Sequence, residues 1–252
     1  MAILVTILLT REYAALQLVK RGIGNYSAHM LLGIAANVIL IVFSFYLIGK
    51  NNLETLAGLA NKELEKGFLL IFPLVYLVLL NVFLMDDLPT DNLLVNLLLL
   101  AIYAISIGFA EELSIRGFLQ SHFIRFFGTT RKRLRLSVFL SALLFGIIHF
   151  IKFDKGIYGE LSQVCFALFI GVMFGFLLLI TKRIYPLIIL HAIVDFVAKL
   201  DSMGIPVTGE TTQSVSAENA IAIVILVSPC LIYGIFLMKR YPILTPAQIA
   251  QS

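Results

Sequence analysis

The chain has 252 residues, a formal net charge of +4, 60% hydrophobic residues and 13% charged ones. Soluble domains carry about 25% charged and about 45–50% apolar residues, so a large soluble core is excluded and a polytopic membrane protein is implied. The basic excess is not a nucleic-acid signal, because Lys and Arg fall in short loops between apolar stretches, as in cytoplasmic loops.

In chain order, Met1–Thr10 is apolar but has no basic segment ahead of it and no cleavage site, which argues against a removed signal peptide. Arg11, Glu12, Gln17, Lys20 and Arg21 interrupt the apolar pattern beyond it, so this segment reads as an interfacial helix or partial span. Apolar stretches of about 17–25 residues mark membrane spans. They run over about 28–48, 67–84, 93–121, 136–151, 161–181, 185–200 and 219–238. The fold expected is therefore all-α, a polytopic transmembrane bundle of about seven spans. The stretch Leu53–Lys66 mixes Glu54, Lys62, Glu63, Glu65 and Lys66 with leucines and reads as a second interfacial helix.

Arg125–Arg135 carries Arg125, Arg131, Lys132, Arg133 and Arg135 with no acid, and Lys182-Arg183 and Lys239-Arg240 come two and four spans later. Asp86–Asp91 and Asp201–Glu210 contain no Lys or Arg, so the basic loops are expected to share the cytoplasmic side. The first span has three basic residues on each flank, which leaves its orientation open. Thr208–Glu218 is polar and reads as an exposed loop. Gly171-x-x-x-Gly175 permits close helix approach, while Cys165 and Cys230 lie in apolar runs without metal spacing and read as core packers. His29 and His122 have no partner pattern. The organisation expected is N-terminal membrane helices over 1–92, a core over 93–200 that holds the motifs, and a loop, last span and tail over 201–252.

Three polar clusters break the apolar runs: Glu111-Glu112-x-x-x-Arg116, Phe145-x-x-x-His149 and His191-x-x-x-Asp195. An ionisable group at bilayer depth costs about 2.5–3.5 kcal/mol or more unless it is paired or hydrated, and so marks a functional site. Glu112 and Arg116 are four apart and share a helix face, which suits a structural ion pair. Glu111, rotated by about 100°, is then free to act as a general base. If helices meet at a turn near Gly128–Arg133, Glu111 lies 17 residues before it and His149 16 after it, which places them at one level. His191 and Asp195 share a face, a spacing that offers two metal ligands or lets the carboxylate orient the imidazole. Pro186 marks the start of that helix. With Glu112 and Arg116 paired, Glu111 and Asp195 leave two negative charges. A divalent cation held by Glu111, His149, His191 and Asp195 would balance them, as would added protons.

The ordered set EExxxR, FxxxH and HxxxN/D on successive transmembrane helices resembles the CPBP intramembrane proteases, which include the type II CAAX prenyl endopeptidases and bacterial bacteriocin-processing and immunity proteins. The resemblance covers about residues 93–200. It implies an endopeptidase acting on a membrane-associated protein or peptide within the bilayer, with Glu111 activating water and His149 and His191 holding that water directly or through a metal, zinc being the expected one. It also implies that the last motif position stabilises the oxyanion or completes the site. Asp195 stands where prenyl-protein members usually carry Asn, and an ionised carboxylate cannot donate a hydrogen bond. This favours a bacterial-type member in a plasma membrane and weakens any claim to prenyl substrates. The rival readings are an ion-coupled transporter, which should show repeat halves and broken helices, and an idle member acting in immunity or as a scaffold. Nothing in the sequence sets the oligomeric state.

Overall fold

A backbone crossing hydrocarbon must satisfy its own polar groups, and long runs of Leu, Ile, Val and Phe do so as helices. A computed structural model describes residues 2–60, 63–89, 91–151, 155–208 and 214–241, the side chains of residues 2 and 3 excepted. Among the described residues, six helical stretches are long and apolar enough to cross a membrane: Tyr26–Lys50, Gly67–Leu84, Leu93–Phe127, Arg131–Ile151, Gly156–Thr181 and Ala217–Arg240. We number the helices α1 (Ala2–Lys20), α2 (Tyr26–Lys50), α3 (Ile71–Leu84), α4 (Leu93–Glu111), α5 (Ser121–Phe127), α6 (Arg131–Ile148), α7 (Gly156–Thr181), α8 (Tyr185–Val197) and α9 (Ala217–Arg240). A π-helix, Glu112–Gln120, continues from α4, and a 3₁₀ turn, His149–Ile151, continues from α6.

The stretch expected to span over 185–200 is instead the 13-residue helix α8. At 1.5 Å per residue it reaches about 20 Å, short of a hydrocarbon core of about 30 Å. Lys182, with φ of 59°, ends α7 just before it, and Gly204, with φ of 78°, turns the chain after it. α1 is a helix, and it is not among the six that qualify as spans.

The chain divides into two compact units. The first comprises residues 1–44, 68–112 and 185–210, with α3, α4 and α8 inside it. α8 packs against α4 and α3. Its core gathers Tyr26, Leu100, Tyr103, Ile107 and Met203, with Phe196 and Leu200 packed against them. Two buried polar groups are satisfied together there: Asn37 Nδ2 donates to Ser106 Oγ at 2.9 Å, and Ser106 Oγ donates to the Tyr103 carbonyl at 2.7 Å.

The second unit comprises residues 45–67, 113–184 and 211–252, and α7 packs on both α6 and α9 within it. The small residues of α7 are what allow this. A Cβ on Gly171 would lie 2.8 Å from the Ala142 Cβ, and one on Gly175 would lie 2.6 Å from Gln120 Oε1. Gln120 Nε2 donates to the Gly175 carbonyl at 3.1 Å. The Gly171/Gly175 pair therefore packs helices within this unit. Cys165 and Cys230 are free thiols, the second buried. His29 bonds the Ile23 carbonyl at 3.0 Å, and His122 lies beside the Phe118 ring.

The stretch expected as a second interfacial helix is a folded turn. Asn52 and Gly58 have φ of 49° and 70°, which a continuing helix does not accommodate. Leu53 and Ala57 are fully buried, and the Gly58 carbonyl accepts the Ile184 N–H at 3.2 Å. Packing of those two apolar side chains outweighs the amphipathic pattern. Residues 61 and 62 lie outside the described residues, as do residues 209–213 of the expected polar loop.

Candidate active site

Glu111 is the last residue of α4, and Glu112 opens the π-helix. A π-helix bonds i to i+5 and is found frequently at functional sites. Ser121 Oγ keeps the same spacing, donating to the Arg116 carbonyl at 3.2 Å, five residues back. In α8, Pro186 sits in the first turn, and His191 and Asp195 come later on one face.

In the first unit these residues form a connected cluster. His191 Nδ1 lies 2.7 Å from Glu112 Oε1, and its Nε2 lies 3.5 Å from Glu111 Oε2 and 3.8 Å from Asp195 Oδ1. Asp195 Oδ2 accepts from Lys199 Nζ at 2.8 Å. A carboxylate only accepts, so His191 Nδ1 donates to Glu112, and Nε2 faces two further acceptors, Glu111 and Asp195. Exposure grades across the cluster: the Glu112 side chain is 0% accessible, His191 12%, Asp195 19% and Glu111 34%. Glu112 thus meets the imidazole from the buried side, and Glu111 is the most accessible carboxylate of the cluster.

In the second unit Arg116 is buried, with its guanidinium 4.7 Å from the Phe145 ring centre and 5.5 Å from that of Phe174. Phe145 meets the His149 ring edge-on at 5.0 Å. The His149 Nδ1 bonds the Phe145 carbonyl at 2.8 Å, and since a carbonyl only accepts, Nε2 is left as a lone-pair acceptor. Phe145 thereby holds His149 by its backbone while its ring stacks on Arg116.

The sequence assigned Glu112 to an ion pair with Arg116; the structure adds a partner the sequence did not give it, His191 Nδ1 at 2.7 Å from Glu112 Oε1. Lys199 was missed. Its signal was the i,i+4 interval after Asp195, and its ammonium offsets the Asp195 charge, which the sequence left to be balanced by a cation or by added protons. Among the described residues no group of three or more His, Cys, Asp or Glu side chains is spaced to hold a metal ion. In the first unit, His191 Nδ1 and Asp195 Oδ2 are satisfied by protein partners. Within the first unit these donors are not grouped to hold a metal ion, and no step is derived through one.

Gly108 was also missed, although a small residue one turn before Glu111 on the same face is a recognisable packing signal. A Cβ there would lie 2.7 Å from the Ile188 carbonyl oxygen and 3.2 Å from the Ala192 nitrogen, both backbone atoms that cannot yield by a rotamer change. Gly108→Ala should push α4 off α8 and separate Glu111 from His191. Since misplacement by about 1 Å costs on the order of 10²-fold, we expect turnover to fall by about that factor. Thermal melting in detergent, measured alongside, should fall only modestly.

Fold and cluster together define a polytopic helical membrane protein with an accessible carboxylate held against an oriented histidine. Residues 93–197 match the family model described as Rce1-like, type II CAAX prenyl endopeptidase Rce1-like. That match supports a CPBP-family membrane protease for this stretch. Comparison with curated proteins and with solved structures returns no match.

Proposed function

We propose that the protein is an intramembrane endopeptidase in which Glu111 activates water against a peptide bond of a membrane-associated polypeptide. The observation that carries this reading is the contact of the accessible Glu111 carboxylate with His191 Nε2 at 3.5 Å, the imidazole being fixed from behind by buried Glu112 at 2.7 Å. Base, partner and orienting group in that order are what a hydrolytic site requires.

In the reaction, Glu111 takes a proton from water as the oxygen bonds to the carbonyl carbon, and the C=O pair moves onto the carbonyl oxygen. Collapse of that intermediate breaks the C–N bond, and the proton passes from Glu111 to the departing amine. His191 positions the water alongside Glu111. The motif order of the family resemblance assigns His149 to the same reaction, with Nε2 as acceptor. We place the protein in a bacterial plasma membrane, on the Asp195 variant of the third motif, with lipid and a polypeptide substrate as its partners.

The test is cleavage of candidate membrane peptides by detergent-purified protein, with and without a strong zinc chelator. Wild type should cleave, and chelation should leave the rate within about threefold, whereas His149→Ala and His191→Ala should each lose about 10²–10⁴-fold. Stoichiometric zinc in the active protein, lost with His149→Ala, would return a metal to the mechanism. Cleavage at the wild-type rate by both histidine variants would remove the assignment.

A further inference from the structure

We propose that the Lys199 ammonium donates the hydrogen bond that stabilises the oxyanion, and that Asp195 holds it in position. The inference rests on the hydrolytic reading above and adds a residue to it. Hydrolysis of an amide places a full negative charge on the carbonyl oxygen, and the largest gains come from fixed donors aimed at that charge. Within the cluster of the first unit, Glu111, Glu112 and Asp195 are acceptors, and both ring nitrogens of His191 are turned to them, Nδ1 to Glu112 at 2.7 Å and Nε2 to Glu111 at 3.5 Å and Asp195 at 3.8 Å. An ammonium has three N–H donors. Lys199 gives one to Asp195 Oδ2 at 2.8 Å, and its side chain is 36% exposed, about as open as Glu111 at 34%.

The placement is set by helix geometry. Asp195 lies one turn beyond His191 on one face of α8, and the turn after Val197, in which the Lys199 N–H bonds the Phe196 carbonyl at 3.3 Å, returns the Lys199 side chain to Asp195. Asp195 then has two sides, with Oδ1 toward His191 Nε2 at 3.8 Å and Oδ2 on the ammonium. Glu111 and the Tyr103 hydroxyl lie within electrostatic reach of the same ammonium. The base closes α4 and the donor sits in the turn just after α8, and those two helices pack together. Asp195 cannot itself donate; its task is to fix the group that does.

In the step, the π pair of the scissile C=O passes to oxygen as the water oxygen bonds to carbon, and a Lys199 N–H hydrogen-bonds to the resulting O⁻. Lys199 keeps its proton throughout. It releases the oxygen when the C=O re-forms and the C–N bond breaks.

The experiment compares Lys199→Met, Lys199→Arg, Asp195→Ala and Asp195→Ala/Lys199→Met with wild type and Glu111→Gln in the peptide cleavage assay. Lys199→Met should lower kcat by about 10²–10³-fold, the cost of one lost oxyanion donor, with KM little changed. Lys199→Arg keeps cationic donors and should recover most of that loss, and all variants should melt as wild type does. A role limited to neutralising Asp195 predicts the opposite for the double variant: removing both charges would restore activity to near the wild-type level. We expect Asp195→Ala/Lys199→Met to remain as impaired as Lys199→Met. Recovery in the double variant, or a wild-type kcat in Lys199→Met, overturns this inference while leaving the hydrolase reading intact. Absence of Glu111-dependent cleavage by wild type overturns both.

Discussion

Glu111→Gln should remove nearly all cleavage while leaving the folded protein unchanged. Glutamine keeps the shape and the hydrogen-bonding reach of glutamate but has no basic oxygen able to accept a proton from water. General-base contributions run to about 10²–10⁴-fold, so kcat should fall by about that range with little change in KM. The fold should tolerate the change because the Glu111 side chain is 34% exposed, and the residue closes α4 rather than filling its core. Replacement of so accessible a group shifts stability by no more than about 0.5 kcal/mol, which a thermal melt in detergent would register as unchanged. Normal cleavage by the Glu111→Gln variant would require another base.

Glu112 should behave in the opposite way. Its side chain is fully buried and its Oε1 lies 2.7 Å from His191 Nδ1. Glu112→Leu leaves a buried polar partner uncompensated, a defect that costs about 3–5 kcal/mol, so the variant should both melt earlier and lose activity. Glu112→Gln retains an oxygen that accepts the Nδ1 proton. We expect it to recover most of the stability and part of the activity, since the imidazole keeps its tautomer and orientation. Equal melting of Glu112→Leu and wild type would contradict the orienting role. The two neighbours thus separate by readout: activity alone for Glu111, activity with stability for Glu112.

What was legible in the sequence was what hydropathy exposes. Ionisable residues inside apolar runs stand out because their cost in hydrocarbon is high, and Glu111, Glu112, His191 and Asp195 do meet in one cluster. The small-residue pair Gly171/Gly175 showed its packing role by spacing alone. The π-helix over Glu112–Gln120 was not legible, because no hydrophobic period distinguishes it from an α-helix over so few residues. Nor was the partner of Glu112 on His191, since the two are 79 residues apart and meet only through packing of α4 on α8. The turn at Leu53–Gly58 was misread because its charges suggested a surface helix, whereas Leu53 and Ala57 bury completely. Lys199 escaped notice because it lies at the end of an apolar run, where a lysine reads as a boundary marker. The compact units are assembled from non-contiguous stretches, and a reading along the chain has no access to that.

The account is tested most directly by running peptide cleavage in ¹⁸O-labelled water and weighing the products by mass spectrometry. Wild type should place a single heavy oxygen in the new carboxyl terminus of the N-terminal fragment, and Glu111→Gln should yield no labelled fragment. Labelled product at equal rates from both proteins would contradict the assignment of Glu111 as the base, and an uncut peptide with wild type would contradict the protease itself.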